Sequence, residues 1–158
     1  MRYVWIIALI LAIITCCYLY YQVETLSRQN HVVVFFIRST PTDFLLVPLV
    51  RTIHESATPQ IAVELLLAGP TPEENLEPSV SPGTKLLNLK IEKKLATVDF
   101  SSEIKTNFIG GSQLEAQLVE AIVRTLLQFD TIDQVEILVE GKRIESIAGH
   151  VAIDRYLP

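Results

Sequence analysis

Two acidic side chains beside a pair of serines form the arrangement in this sequence that comes nearest to catalytic chemistry. Asp99 and Glu103 bracket Ser101-Ser102, and in a turn the two carboxylates could approach each other as an acid–base pair. The alternative is a strand end at which Asp and Ser side chains bind backbone N–H groups, which is the usual local behaviour of these residues. We favour the second interpretation, so this cluster predicts no catalytic residue.

The three histidines do not form a metal-binding pattern. His31, His54 and His150 lie on three different predicted elements and have no ligand spacing between them. A zinc site needs three or four converging ligands. The sequence therefore predicts no metal and no cofactor.

A nucleophilic serine is not indicated either. The G-x-S-x-G elbow is absent. Gly110-Gly111-Ser112 is better explained as a helix entry than as an oxyanion loop, because Ser112 and Glu115 have the spacing of a capping box.

The glycine- and proline-rich stretch at 65–85 is the region whose composition suggests a ligand loop. A phosphate loop of the G-x-x-x-x-G-K-[ST] type needs its glycines at fixed spacing between a strand and a helix. Here Gly69 ends a predicted helix and Gly83 belongs to a predicted turn before a strand. Three nearby acidic side chains would also repel a phosphate: Glu73, Glu74 and Glu77. The stretch is interpreted as connections between packed elements, and we expect no nucleotide to bind.

Capping and turn residues delimit the predicted elements. Thr58-Pro59 begins a helix that Gly69-Pro70 ends, and a helical turn at 71–74 has capping-box spacing. Ser81-Pro82-Gly83-Thr84 has proline and glycine where a type II turn requires them. The other predicted elements are strands at 31–39 and 44–53, a hairpin at 86–100, a helix from Ser112, and a strand pair that turns at Glu140-Gly141-Lys142. Pro48 pushes the second strand to an edge or a bulge.

Apolar patterning assigns the inner faces. The hairpin has one wet face, with Leu87, Leu89 and Ile91 predicted on the opposite face and Ala96, Val98 and Phe100 facing inward on the return strand. The helix from Ser112 carries an apolar stripe of Leu114, Leu118, Ile122, Leu126 and Phe129. The predicted fold is a single small α+β domain in ββαββαββ order, with two helices packed on one mainly antiparallel sheet.

An apolar segment at the N-terminus predicts a membrane anchor. Tyr3–Tyr21 contains no charged residue and no helix breaker, and its length matches the roughly 20 residues of a membrane-spanning helix. Arg2 is the only basic side chain before it, so the positive-inside rule places the rest of the chain outside the cytoplasm. The predicted organisation is an anchor at 1–22, a short linker at 23–30 and one domain at 31–158.

Two cysteines within this segment leave the form of the anchor open. Cys16 and Cys17 are the only cysteines, so the domain at 31–158 cannot depend on disulfides. A diacylglyceryl anchor on one of them would need a small residue directly before it, and the chain offers Thr15 or Cys16. The length of the apolar segment favours an uncleaved transmembrane helix, and the lipoprotein signal is the alternative.

Net charge limits the partners. The whole chain carries −5, and without Arg2 twelve basic residues stand against 18 acidic ones, a formal charge of −6. Nucleic acid and anionic lipid head groups are poor partners for such a surface.

Several sequence blocks, each weak alone, occur together in the order of a known family. They are LLLAGPTPEE, SPGTKLL, ATVDFSSE, GGS-x-x-E, AIVRTLLQF, VEILVEGK and the closing Ala148-Gly149-His150. Together they resemble the GerMN domain of sporulation and germination proteins, over roughly 31–158. The resemblance implies a secreted or membrane-anchored protein, here with a single copy of the domain, and a binding or assembly role instead of an enzymatic one.

Two hypotheses about function follow. The first is a non-enzymatic interaction module of the bacterial envelope that binds envelope proteins or itself through a sheet edge or a helix face. The second is an envelope enzyme or a receptor for cell-wall fragments, which should show a concave pocket with convergent polar groups. The missing catalytic arrangement and the resemblance both favour the first.

Overall fold

The computed structural model describes residues 2–28 and 31–158, and within the first helix it describes the side chains of residue 6 and residues 9–21. The chain forms two compact units. One contains the residues up to Val32 together with Thr52–Ala57, and the other contains Val33–Arg51 together with Thr58–Pro158.

The N-terminal segment forms one helix, α1, at Arg2–Arg28. It includes most of the segment predicted as a linker, while residues 29 and 30 lie outside the described residues. Among the residues that the structure describes, no helix combines the length and the apolarity needed to cross a membrane. The predicted transmembrane helix is therefore not supported.

The remaining elements follow the predicted α+β order, with one addition. They are β1 (His31–Ser39), β2 (Phe44–Thr52), α2 (Pro59–Ala68), a 3-10 turn (Pro72–Glu74), β3 (Leu86–Glu92), β4 (Leu95–Phe100), α3 (Glu103–Thr106), α4 (Ser112–Leu127), β5 (Gln134–Val139) and β6 (Lys142–Arg143). The short helix α3 was not expected.

The strands form two sheets, so the prediction of a single sheet was wrong. β1 and β2 pair with each other, while the second sheet has the order β3-β4-β5-β6. Within the second sheet β4 and β5 are parallel, with Ala96 opposite Val135 and Val98 opposite Ile137. A parallel pair needs a long crossover, and here α3 and α4 supply it. Only the pairs β3-β4 and β5-β6 of this sheet are antiparallel.

A β-bulge at the start of β3 changes the predicted face of Leu87. The register shifts between Leu86 and Asn88, so Leu86 lies opposite Phe100 and Leu87 has no partner in the ladder. A bulge inserts one residue and reverses the alternation beyond it. Leu87 is consequently 48% exposed. Leu89 and Ile91 keep the predicted face, opposite the buried Val98 and Ala96, although Ile91 at the edge is 37% exposed. The predicted inward faces of Ala96, Val98 and Phe100 on β4 are confirmed, because all three are fully buried.

Helix α4 supplies much of the core of the larger unit. Leu118, Ile122 and Leu126 are buried as the predicted stripe requires, and α4 packs against α2 and β5. Leu114 and Phe129, at the two ends of the stripe, are half-buried.

Local signals placed the boundaries accurately. Thr58 Oγ1 accepts a hydrogen bond from Ile61 N at 3.3 Å and caps α2, and Gly69 follows its last residue. Gly83 has a φ of +81°, which a type II turn requires at its third residue.

Candidate functional site

Glu115, near the start of α4, has a buried carboxylate whose contacts differ from the predicted capping box. Gly111 is the N-cap of α4, so Ser112 is the first helical residue. The side chain of Glu115 is fully buried and accepts hydrogen bonds from a distant loop. Its partners are the backbone N–H groups of Ile147 (3.0 Å), Ala148 (2.8 Å) and His150 (2.9 Å), and Nδ1 of His150 (2.9 Å). The capping box predicted between Ser112 and Glu115 was therefore wrong.

The surroundings of Glu115 favour its ionised form. Burial raises the pKa of this carboxyl, but the hydrogen bonds from Ala148 and His150 outweigh it, and the pKa lies below its ordinary value of 4.5. An ionised carboxylate only accepts hydrogen bonds, so Nδ1 of His150 carries the proton in this pair. The four donors thus replace the hydration that the carboxylate lost on burial.

A carboxylate that binds an imidazole also occurs in hydrolase triads, where it orients a general base. Such a site needs a nucleophile on the same imidazole. Within 31–158, as the structure describes it, no hydroxyl or thiol side chain is hydrogen-bonded to His150, whose side chain is 47% exposed. The observed contacts give Glu115 a structural role, because they fix the loop at 147–150 against the start of α4.

The side chains around Ser101-Ser102 bind backbone groups, as the favoured interpretation predicted. Asp99 Oδ1 accepts from Gly141 N at 2.9 Å, and Ser101 Oγ accepts from Lys85 N at 2.9 Å. A hydrogen bond from the side chain of Ser101 is the main reason that the pKa of Glu103 is lowered. Asp99 and Glu103 thus have different partners and form no shared acid–base pair.

The structure does not bring the other sequence candidates into one site. His31 lies at the start of β1 and His54 follows β2, and both are exposed. Among the described residues, no group of three or more His, Cys, Asp or Glu side chains could hold a metal ion.

A groove lies on the larger unit between the segment 77–82 and the loop 106–109. Its volume is about 580 Å³. The walls are mainly apolar: Ile37, Pro78, Val80, Pro82, Phe108 and Leu114. Ile109 also lines the groove and its side chain is exposed, and we call this feature the Ile109 groove. Part of the stretch at 65–85 that raised the question of a ligand loop therefore does line a concave surface.

Backbone pairing and one turn position the first wall of the Ile109 groove. Ile37 and Glu77 exchange backbone hydrogen bonds of 2.9 and 2.7 Å, which hold the segment against β1. The turn at Ser81–Thr84 ends it, with Thr84 N donating to Ser81 O at 3.3 Å.

Close packing positions the second wall. A Cβ at Gly110 would lie 2.9 Å from Cβ of Leu114 and 3.2 Å from the ring of Phe108, so only glycine fits there without displacement. Ile109, immediately before this glycine, is 91% exposed. Sequence patterning alone did not single out Ile109, because one aliphatic residue between a helix and two glycines has no periodicity.

Three polar side chains in the wall each donate one hydrogen bond to a backbone carbonyl of the same domain: Ser79 Oγ to Phe35 (2.8 Å), Ser81 Oγ to Ile104 (2.9 Å) and Asn107 Nδ2 to Pro82 (2.8 Å). Thr106 also lines the groove and is exposed, and its Oγ1 donates to Oδ1 of Asn107 at 3.4 Å. Glu77 is the single charged residue among the lining residues described. The groove is thus suited to an apolar group more than to a polar ligand.

Comparisons with known proteins agree with this architecture. The chain matches the Germane family, described as sporulation and spore germination, over residues 19–145. No curated protein matches the chain. Because the match covers most of its length, the chain belongs to the Germane family, and the predicted GerMN-like identity is confirmed.

Three solved structures share the fold. The first GerMN domain of the sporulation protein GerM from Bacillus subtilis is 23% identical, with a TM-score of 0.63 over 78% of this chain and 92% of that chain. The tandem GerMN domains of the same protein are 25% identical, with a TM-score of 0.59 over 72% of this chain and 39% of that longer chain. A candidate lipoprotein from Clostridium perfringens is 21% identical, with a TM-score of 0.58 over 82% of this chain and 87% of that chain.

Proposed function

We propose that this chain is a non-enzymatic interaction module of the bacterial envelope that acts in sporulation or spore germination. Membership of the Germane family supports the process. The observation that carries the molecular role is the Ile109 groove, which combines apolar walls with an exposed isoleucine in its lining. An apolar groove can bind the apolar side chains of a protein partner.

The competing hypothesis was an envelope enzyme or a receptor for cell-wall fragments. The concavity of the Ile109 groove agrees with this competing hypothesis, because the interaction module was expected to show a flat surface or a sheet edge instead. The lining supports the module: a site for polar wall fragments needs convergent polar groups, whereas Ser79, Ser81 and Asn107 already donate to carbonyls of their own domain.

The proposed location is the extracytoplasmic face of a membrane, with attachment through the N-terminal segment. A lipid on Cys16 or Cys17 is one form of attachment that the sequence left open, and a candidate lipoprotein shares the fold. Membrane fractionation of the wild type and of a Cys16→Ser/Cys17→Ser variant tests this form. Loss of the protein from the membrane fraction in the variant indicates a lipid anchor, and an unchanged fraction indicates attachment without a lipid.

Imaging in the natural host tests the proposed process. The full chain carries a C-terminal reporter that fluoresces outside the cytoplasm, and the cells are followed through growth and sporulation. We expect signal after sporulation begins, concentrated at the membranes around the forespore. Uniform signal in the envelope of growing cells would contradict a sporulation role.

A further inference from the structure

Ile109, an exposed residue of the groove lining, is itself a suitable occupant for an apolar groove. Ile109 is 91% exposed, whereas Leu87 is 48% exposed and Ile91 is 37% exposed. An aliphatic side chain gains free energy when it leaves water for an apolar site. The same face of the domain therefore presents both an apolar projection and an apolar cavity.

Two charged residues near the groove also suit a contact between two copies. Glu77 lines one wall of the groove, and Lys105 is exposed on α3, directly before the lining residues Thr106–Ile109. Among the described residues neither Glu77 nor Lys105 takes part in an ion pair. An exposed acid in the lining and an exposed base one residue before the lining segment 106–109 are opposite charges that can pair between two copies.

We propose that the occupant of the Ile109 groove is Ile109 of a second copy of this chain, in a two-fold pair in which Lys105 of each copy faces Glu77 of the other. A two-fold contact uses the same patch on both copies, so projection and cavity must occur together on one face. This inference rests on the proposed function and names the partner of that site.

The size of the surface sets the expected strength. Twelve residues line the groove, whereas a stable interface uses roughly 20 to 30 residues a side. The pair is therefore weak in solution. Attachment of both copies to one membrane raises their effective concentration and favours the pair.

Sedimentation of the purified full-length chain in detergent, over a range of concentrations, tests the pairing. The wild type is expected to show a concentration-dependent monomer–dimer equilibrium. Ile109→Asp should weaken it by about tenfold or more, as substitution of a central contact residue does. Leu87→Asp is the matched control, an exposed apolar residue on β3 outside the lining, and it should leave the equilibrium unchanged. Pairing through α1 alone would be unaffected by both substitutions and would overturn the proposal.

A charge exchange tests the predicted register. Glu77→Lys and Lys105→Glu should each weaken the pair, and the double variant should restore it, because the exchanged charges again attract across the two-fold axis. Failure of the double variant to recover would contradict the contact between these two residues.

The outcomes also separate this inference from the proposed function. In one outcome the wild type stays monomeric at every concentration while Ile109→Asp abolishes sporulation or germination in the host. The groove then binds an apolar segment of another protein. In that case the self-pairing is wrong and the interaction role stands. If Ile109→Asp changes neither the monomer–dimer equilibrium nor sporulation and germination in the host, the self-pairing and the interaction role are both wrong.

Discussion

The carboxylate of Glu115 accepts a hydrogen bond of 2.9 Å from Nδ1 of His150, 35 positions further along the chain. The same carboxylate binds three backbone N–H groups of that loop, so one side chain of α4 determines where the segment 147–150 lies.

Substitution of this carboxylate should be among the most damaging single changes in the domain. Glu115→Gln replaces one acceptor oxygen by an amide that faces N–H donors, and we expect it to reduce the free energy of unfolding by about 2–4 kcal/mol. Glu120→Gln is the control, because Glu120 is on the same helix and its exposed ion pair with Arg124 contributes little. Chemical denaturation measures both. Equal effects of the two substitutions would contradict the role assigned to Glu115.

Acid should weaken the contribution of Glu115. Its pKa is lower in the folded protein than its ordinary value of 4.5, so the stabilisation is complete above about pH 4.5 and is lost as the pH falls through the lowered pKa. The pKa values of Glu73, Glu74 and Glu103 are lowered as well, so the wild type and Glu115→Gln should both lose stability in acid. The contribution of Glu115 is the difference in the free energy of unfolding between the wild type and Glu115→Gln. Denaturation at a series of pH values should show this difference shrinking below about pH 4.5, and a constant difference would refute the assignment.

Two adjacent glycines before α4 should respond differently to the same change. Gly110→Ala places a methyl group 2.9 Å from Cβ of Leu114 and should cost about 1–3 kcal/mol through displacement of the groove wall. Gly111→Ala meets no atom within 4 Å and should cost much less. Thermal unfolding compares them, and similar losses would mean that the wall is less tightly packed than the structure shows.

Two threonines allow a comparison between a buried hydroxyl without a hydrogen-bond partner and a half-buried hydroxyl that has one. Thr125 is fully buried and its hydroxyl has no hydrogen-bond partner among the described residues, so Thr125→Val should leave stability unchanged or raise it by up to about 1 kcal/mol. Thr97 donates to Glu136 Oε2 at 3.0 Å, so Thr97→Val should lower stability by about 1 kcal/mol. Chemical denaturation of the two variants measures whether the free energy of unfolding falls for Thr97→Val and is unchanged or higher for Thr125→Val. A loss at Thr125 equal to that at Thr97 would indicate a partner for its hydroxyl.

The features that the sequence predicted correctly depend on neighbouring residues. Thr58 and Gly69 mark the two ends of α2 because each satisfies backbone groups within a few residues. The turn at Glu140-Gly141 has two residues with positive φ, which suits a two-residue hairpin turn. Such signals are local, so a single sequence contains them.

The features that it missed depend on distant contacts. The division into two sheets and the parallel pairing of β4 with β5 join residues across the α3–α4 crossover, and local patterning carries no information on that pairing. Glu115 was assigned to a capping box because Ser112 lies three residues before it, whereas its true partners lie at 147–150. The sequence block Ala148-Gly149-His150 contributes only to the family resemblance and carries no local structural signal. Its link to Glu115 needed the structure.

The Ile109 groove is proposed to carry the function of this domain in sporulation or germination. The most direct measurement is the yield of heat-resistant spores, and their germination, in host strains whose own copy is deleted or replaced by Ile109→Asp or Leu87→Asp. Protein levels are matched between the strains. We expect the Ile109→Asp strain to resemble the deletion strain and the Leu87→Asp strain to resemble the wild type. Normal spores from Ile109→Asp beside a defective deletion strain would contradict it, and so would a deletion strain that forms and germinates spores normally.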